Sequence, residues 1–167
     1  MVHYKSWQGL KKQLEDRLCE PLKGRVTFFL TRYHKVHNAY GRAAVMLDGR
    51  ELARFEWQEM YKQDSDLAQL YKSGVSYEDG EHLLKSEWDE NCTYHETDFL
   101  AAALAYLNMP IDKALESDEL IVRIFAILDS RVGKRTLQKI KDGGEYLALP
   151  GWVRQFYELR FEVSGIK

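Results

Sequence analysis

The dipeptide Asp48-Gly49, which lies between two extended runs, constrains the fold of this chain more than any other short segment. Asp-Gly favours a type I′ hairpin turn, because both central residues of that turn need positive φ. The flanking residues 42–47 and 51–57 read as paired strands, and residues 25–33 add a third with β-favouring side chains on both faces. The N-terminal part of the chain therefore predicts a three-stranded antiparallel meander, which needs a helix packed on one face to be stable.

Residues 93–137 hold the densest apolar runs in the sequence and predict the central helices. The first of these helices begins with Thr93 and Glu96, whose spacing fits a capping box. A later helix over 120–128 leaves only a narrow polar stripe at Arg123, and a helix that is apolar on most sides is usually central to a fold. The stretch is too short and too broken to span a membrane, which needs about 20 consecutive apolar residues.

Amphipathic helices at both ends complete the expected fold. Residues 4–19 place apolar side chains at helical spacing on one face, and Pro150 opens a last helix with an aromatic inner side. The length of 167 residues suits a single domain, over 1–167, with its own core. The sequence therefore predicts an α+β fold, in which the three-stranded antiparallel meander near the N-terminus packs with a mainly helical C-terminal portion.

Charge is distributed unevenly along the chain, although the net charge is only −2. Residues 1–58 carry 11 basic and 6 acidic side chains (+5), residues 59–119 carry 4 and 15 (−11), and residues 120–167 carry 9 and 5 (+4). The acidic middle either lies against the basic flanks or forms an acidic face for a basic protein partner. Local pairing is the more ordinary interpretation, and a partner surface is the sharper hypothesis.

The acidic middle also has the weakest helical pattern. Residues 60–71 fit one helix, and Ser76 can cap another in which Leu83 and Leu84 face inward. Little apolar surface is available here to offset the entropy of ordering the chain. We therefore expect residues 59–91 to be the most exposed and least rigid part of the fold.

Composition is that of an ordinary soluble globular protein, with 45% apolar and 30% charged residues. The first ten residues lack the apolar segment of a secretory signal. Cys19 and Cys92 are isolated in the sequence, which indicates unpaired thiols in a reducing compartment. These features predict a cytoplasmic protein without a membrane segment and leave its oligomeric state open.

The first candidate site is the polar loop between the first two strands. Its side chains capable of chemistry are Arg32, His34, His37, Asn38, Tyr40 and Arg42. Histidines three residues apart suit zinc, but two ligands do not complete a site, so no metal is predicted. An acid–base pair with arginines that hold an anion is chemically sensible and makes His34, His37, Tyr40 and Arg42 weak catalytic candidates. A solvated loop without chemistry is the more ordinary interpretation.

The second candidate is a basic turn after the central helices, which contains Arg131, Gly133, Lys134 and Arg135. Glycine among basic neighbours can hold an anion, so the three basic residues are weak anion-binding candidates. The phosphate-loop pattern needs another glycine where Leu128 stands, which excludes a nucleotide loop. Basic side chains that cap a helix C-terminus are the simpler alternative.

No other motif identifies an enzyme. The carboxylates of Asp112, Glu116, Asp118 and Glu119 look like helix-start residues rather than an acid–base pair. The sequence contains neither a nucleophile elbow nor the glycine fingerprint of a dinucleotide site. No cofactor is therefore predicted.

Several short sequence motifs nevertheless occur together along most of the chain. They are LKGR at 22–25, YGR at 40–42, DGRE at 48–51 and LDSRVGKR at 128–135, with DF at 98–99, YLN at 106–108 and LES at 115–117 between them. In their order and spacing, the chain resembles a family of uncharacterised bacterial proteins of similar length. The resemblance covers most of the chain and is weakest over 60–91. It implies a bacterial cytoplasmic protein and transfers no catalytic residues.

The sequence favours a non-enzymatic protein-interaction module, because catalytic motifs are missing and the middle segment is acidic. The alternative is an enzyme that acts on a small anionic or phosphate-bearing substrate through the 32–42 loop. Nucleic-acid binding through the basic turn is the least favoured function, since the net charge of −2 opposes binding to phosphates.

Overall fold

The computed structural model describes Val2 and residues 4–31 and 41–167. Within these ranges the chain forms a three-stranded sheet, eight α-helices, and short 3-10 helices at Glu20–Leu22 and Glu145–Ala148. In chain order the main elements are α1 (Trp7–Asp16), β1 (Val26–Thr31), β2 (Arg42–Leu47), β3 (Arg50–Glu56), α2 (Gln58–Lys72), α3 (Tyr77–Glu90), α4 (Glu96–Leu107), α5 (Ile111–Leu115), α6 (Leu120–Leu128), α7 (Lys134–Gly143) and α8 (Gly151–Val163). This order confirms the predicted α+β class.

The sheet is the predicted antiparallel meander, in the order β1-β2-β3. Asp48 and Gly49 turn between β2 and β3 with φ angles of 50° and 81°, the two positive values that a type I′ turn needs. Val45 lies in the central strand, opposite Phe28 of β1. The hairpin prediction is confirmed, while the predicted end of the first strand at 32–33 lies outside the described residues.

One face of the sheet forms the core together with α4 and α6. Phe28 and Phe55 lie on that face and are 3% and 0% exposed. The ring of Phe55 stacks on Phe99 of α4 at 5.4 Å, and the ring of Phe28 lies 5.5 Å from Phe125 of α6. Aromatic pairs at this separation add about 1 kcal/mol beyond their buried area. The helices therefore supply the cover that a small meander requires.

Helix α6 lies at the centre of the helical part. Every residue of Leu120–Leu128 is buried except Arg123, which confirms the apolar run and its single polar position. Ile124 is fully buried, and Leu14 of α1 and Phe156 of α8 belong to the same core cluster. Among the described residues, no helix combines the length and the apolar character needed to cross a membrane.

Helix α4 begins later than the sequence predicts. Its capping side chain is His95, whose amide in turn donates to the Asp98 carboxylate at 3.0 Å. The predicted capping box that starts at Thr93 is wrong, because Thr93 is fully buried and its amide donates to the Trp88 carbonyl at 2.9 Å. Thr93 therefore belongs to the turn that ends α3. The capping box of α4 begins at His95, two residues later than predicted.

Candidate functional site

The acidic hairpin, defined here as residues 58–91, consists of α2, a short turn and α3. Gly80 of α3 faces α2, since a Cβ at this position would lie in ordinary van der Waals contact with Leu67, 3.4 Å away. Trp88 of α3 is 7% exposed, and its indole Nε1 donates to the Asp66 carboxylate at 3.1 Å. The two helices predicted over this segment are confirmed, and they pack on each other.

The tip of the hairpin is held by its own side chains. The rings of Tyr71 and Tyr77 stack at 5.5 Å across the turn. Ser76 caps α3 as predicted, because its Oγ accepts a hydrogen bond from the Asp79 amide at 3.3 Å. Capping of this kind contributes about 1 kcal/mol to a helix. The helical conformation therefore extends to the tip through local interactions.

The base of the hairpin is joined to the rest of the fold through residues 89 and 63. The indole Nε1 of Trp152, in α8, donates to the Asp89 carbonyl at 2.7 Å. The hydroxyl of Tyr94 donates to the Asp89 carboxylate, and Gln63 donates to the Thr93 carbonyl. Burial and the hydrogen bond to Asp89 raise the pKa of Tyr94, so its hydroxyl remains a donor.

The outer face of α3 carries acidic side chains around an exposed leucine. Leu83 is 63% exposed. Asp79 lies four residues before it, Glu87 four residues after it and Glu90 seven residues after it, a spacing that places all of them on one helical face. With nine acidic and three basic side chains, the hairpin has a net charge of −6. It therefore presents an apolar side chain within a negative field.

The prediction that Leu83 faces inward is wrong. Gly80 and Trp88, eight residues apart, mark the buried side of α3, and Leu84 lies half-buried between them. Leu83 is turned away from that side by about 100°. In the whole hairpin only Leu67, Gly80 and Trp88 are buried, which agrees with the predicted exposure of residues 59–91. Their low rigidity stays a prediction.

The loop candidates are only partly within the described residues. Arg32, His34, His37, Asn38 and Tyr40 lie outside them. Arg42 opens β2, where its guanidinium forms an ion pair with Glu51 and lies 5.2 Å above the ring of Phe29. The loop candidate that the structure does describe is therefore engaged by two neighbours on the sheet.

A buried carboxylate lies beside the root of this loop. Glu96 is 6% exposed, and a Cβ at Gly41 would overlap its carboxyl group. Gly41 directly precedes β2, so glycine leaves the space that the Glu96 side chain occupies. Sequence reasoning placed Glu96 in a capping box and missed this contact, because two residues so far apart in the chain carry no local signal of their approach.

The predicted basic turn follows α6 and is partly tied to a buried aspartate. Asp129, 1% exposed, pairs with Arg131 Nη2 at 2.6 Å and accepts the hydroxyl of Tyr106 at 2.5 Å. Burial opposes the charged carboxylate, but hydrogen bonds from Arg131 and Tyr106 outweigh it and lower the pKa of Asp129. Lys134 and Arg135 are exposed at the start of α7 and form no ion pair within the described ranges.

Metal-binding and thiol chemistry have little support in the described ranges. No group of three or more histidine, cysteine, aspartate or glutamate residues is placed there to hold a metal ion. Cys19 and Cys92 are free thiols. Burial raises the pKa of Cys92 to about 12, so this thiol stays protonated and poorly nucleophilic at neutral pH.

Comparison with known proteins places the chain in a family. A family model matches residues 6–161. The chain belongs to the SF0329 protein family. The SF0329 match includes the sheet, the acidic hairpin and all but the last residues of α8. No match was found among curated proteins or among solved structures. Since the SF0329 description names no activity, function is argued from the geometry of the chain.

Proposed function

We propose that the protein is a non-enzymatic protein-interaction module of the bacterial cytoplasm, and that its acidic hairpin receives a basic protein partner. The observation that carries this proposal is Leu83, which is 63% exposed on an acidic helical face. The isolated thiols Cys19 and Cys92 support a reducing compartment.

The chemistry of this face matches the usual anatomy of a protein interface. An apolar anchor near the centre supplies most of the binding free energy, and a polar rim excludes water and sets orientation. Leu83 can act as the anchor, with Asp79 and Glu90 in the rim. Glu87, also in the rim, has an ion pair with Lys62 at 3.7 Å, whereas Asp79 and Glu90 have no ion pair within the described residues and keep the face negative. A partner with lysines or arginines around an apolar recess complements both features.

The hairpin also presents this face in an ordered conformation. The buried side chains of Leu67 and Trp88 and the hydrogen bond between Trp88 and Asp66 hold α3 against α2. The attachment of Asp89 to Trp152 fixes the base. A partner would therefore meet a helix that is already formed, and the entropy lost on binding is smaller than for a segment that folds on contact.

A second candidate is an enzyme that acts on a small anionic or phosphate-bearing substrate through the 32–42 loop. The buried Glu96 favours it, because a buried carboxylate suits acid–base chemistry and this one lies against Gly41, which belongs to the 32–42 segment in sequence. The engagement of Arg42 by Glu51 weighs against it. Turnover of p-nitrophenyl phosphate that disappears in Glu96→Gln and persists in Glu158→Gln would support this candidate over the interaction module.

The interaction proposal is tested by photo-crosslinking inside the cells that encode the protein. A photoreactive amino acid replaces Leu83 in one variant and Leu147 in the control, because Leu147 is similarly exposed, at 56%, and lies outside the hairpin. We expect a discrete adduct with a basic protein from position 83 and none from position 147. Absence of an adduct at 83, or an acidic protein in it, would contradict the proposal.

The captured protein, once purified, allows a quantitative test of the charge argument. Exposed charges are screened over about 10 Å at 0.1 M salt, so the association rate should fall as salt rises. The variant Asp79→Asn/Glu90→Gln should bind roughly 3- to 10-fold more weakly. The control Glu20→Gln/Glu158→Gln removes the same net charge outside the hairpin. Equal weakening by both variants would mean that the hairpin is not the contact.

A further inference from the structure

A cleft of about 480 Å³ lies among the C-terminal helices. One wall comes from α5 and α6, the opposite wall from α7 and the 3-10 helix that follows it, and α8 contributes Tyr157. None of the residues that line the cleft belongs to the acidic hairpin. Its volume lies within the range of pockets that enclose small molecules.

Arg123 supplies the positive charge on the first wall. Its Nε donates to the Leu115 carbonyl at 3.2 Å, which satisfies a free carbonyl at the end of the short helix α5. Its two Nη atoms form no hydrogen bond or ion pair with the described residues. The only polar side chain of α6 is therefore held in place by one nitrogen, while two others can bind an anion side by side.

Tyr157 supplies a hydroxyl in the same cleft. The residue is 3% exposed, its hydroxyl forms no hydrogen bond within the described ranges, and the oxygen is not among the fully enclosed polar atoms. Burial raises the pKa of Tyr157, although the positive charge of Arg123 opposes the shift. The hydroxyl is therefore a donor at neutral pH. Arg123 and Tyr157 both line the cleft, so a ligand in it can accept hydrogen bonds from both groups.

The charged side chains that line the cleft indicate which net charge a bound ligand should carry. Asp112, Glu116 and Glu145 line the cleft together with Lys139 and Arg123, so acidic groups outnumber basic ones by three to two. None of the five forms an ion pair within the described part of the chain. A phosphate or a dicarboxylate would meet more repulsion than attraction, whereas a molecule with one charge of each sign has partners for both.

We propose that this cleft binds a free α-amino acid with an apolar side chain. The carboxylate pairs with Arg123 and accepts the hydroxyl of Tyr157, and the ammonium group pairs with Glu116, which directly follows the Leu115 carbonyl that holds Arg123. The half-buried side chains of Ile140 and Leu149 give the apolar group its surface. This binding site is independent of the acidic hairpin and of the partner proposed for it.

Calorimetric titration of the purified full chain tests the proposal with L-leucine and L-phenylalanine as probes. Two analogues of leucine isolate its charges: 4-methylpentanoate lacks the ammonium group, and isopentylamine lacks the carboxylate. We expect at least one of the two amino acids to bind, and both analogues to bind roughly 10-fold or more weakly than leucine if leucine is the ligand. Glycine, which lacks the apolar group, should not bind measurably.

Variants of the cleft residues and one control variant separate this site from surface binding elsewhere. Arg123→Gln should weaken amino-acid binding by roughly 10- to 100-fold, because it removes charge-assisted hydrogen bonds. Tyr157→Phe keeps the ring and should weaken binding roughly 3- to 10-fold. The control Arg50→Gln changes an exposed residue of β3 outside the cleft and should bind like the wild type. If Arg123→Gln does not fold, Tyr157→Phe and Glu116→Gln carry the test.

The same titrations show how the proposal fails. Binding of neither amino acid overturns it, as does binding that Tyr157→Phe and Arg123→Gln leave unchanged. Equal affinity for leucine and 4-methylpentanoate would mean that the ammonium group is not recognised and that the ligand is not a zwitterion. The variant Glu116→Gln should bind these two probes with similar affinity, because it lacks the proposed partner of the ammonium group. Because the assay contains no partner protein, its failure leaves the interaction proposal intact, and failure of the crosslinking test leaves this site intact.

Discussion

The hydroxyl of Tyr106 lies 2.5 Å from Oδ2 of Asp129, a carboxylate that is only 1% exposed. The bond joins α4 to the turn after α6, and Nη2 of Arg131 donates to the same carboxylate oxygen at 2.6 Å. A buried charge with two donors in place stabilises the fold, whereas the same charge with a donor removed would destabilise it. The pair therefore acts as a polar connection within an otherwise apolar core.

The first prediction concerns the pH dependence of this connection. The pKa of Asp129 in the folded state lies below its ordinary value of 3.8, since hydrogen bonds from Arg131 and Tyr106 outweigh the effect of burial. Its stabilisation is present above about pH 4 and is lost as the pH falls through the folded-state pKa. Asp129→Asn should destabilise the protein by about 2 kcal/mol near neutral pH. Urea denaturation at neutral and at acidic pH measures the difference.

We expect the difference in free energy of unfolding between the wild type and Asp129→Asn to become smaller in acid. The reason is that the wild-type side chain loses its charge there, whereas the variant side chain has none. Glu158→Gln, at an exposed position of α8, is a suitable control. A gap that stays constant from about pH 7 to about pH 3 would mean that ionisation of Asp129 contributes nothing to stability.

The second prediction concerns the centre of the core. Ile124 in α6 has no exposed surface, so Ile124→Asp would bury a charge without a partner. That costs more than about 4 kcal/mol, enough to prevent stable folding of a domain of this size. Ile124→Val should cost only about 1 kcal/mol. Circular dichroism during heating measures both, and a cooperative transition near the wild-type midpoint for Ile124→Asp would show that α6 is not central.

The third prediction concerns the space beside Glu96. Gly41→Ala would place a methyl group where the Glu96 carboxyl group lies, and we expect it to destabilise the fold by about 1–3 kcal/mol. Gly151→Ala is the matched control, because a Cβ at Gly151 would meet nothing within 4 Å. Chemical denaturation of both variants gives the comparison. Equal stability of the two would mean that the Glu96 side chain moves aside without cost.

The fourth prediction concerns the rigidity of the acidic hairpin. With Leu67, Gly80 and Trp88 as its buried residues, the hairpin has little apolar surface to oppose local opening. Amide hydrogen exchange over 59–91 should therefore be faster than exchange over 120–128. In the presence of the proposed partner, protection should appear around Leu83. Exchange in the free protein as slow as that of α6 would contradict the prediction.

The sheet and the central helix could be predicted from the sequence because their signals are local. Asp48-Gly49 needs only its own backbone preference to form a turn, and the apolar run over 120–128 needs only its composition to be buried. Leu83 was placed wrongly although the signal was present: Gly80, Leu84 and Trp88 recur at four-residue spacing and mark the inner side of α3.

The candidate sites were less predictable, since they depend on contacts between distant segments. Arg123 was recognised as a polar position in an apolar helix, but the sequence does not show that Tyr157 and α7 approach it. Glu96 was expected to cap α4, and its contact with Gly41 joins residues in different elements. Arg131 was expected to be available to an anion, whereas the turn geometry places Asp129 against it. Backbone propensity and spacing carry no information about such approaches.

The attachment of the hairpin has a practical consequence for spectroscopy. Trp152 donates its indole hydrogen to the Asp89 carbonyl at the base of the hairpin, and Trp88 donates its own to Asp66 within it. Indole emission responds to the loss of a hydrogen bond and to entry of water, so detachment or opening of the hairpin would change the fluorescence of these two side chains. Trp7, which is half-buried against the core with its ring 6.1 Å from Phe99, supplies a reference outside the hairpin. The protein therefore carries intrinsic optical probes inside and at the base of the hairpin to which a partner is proposed to bind.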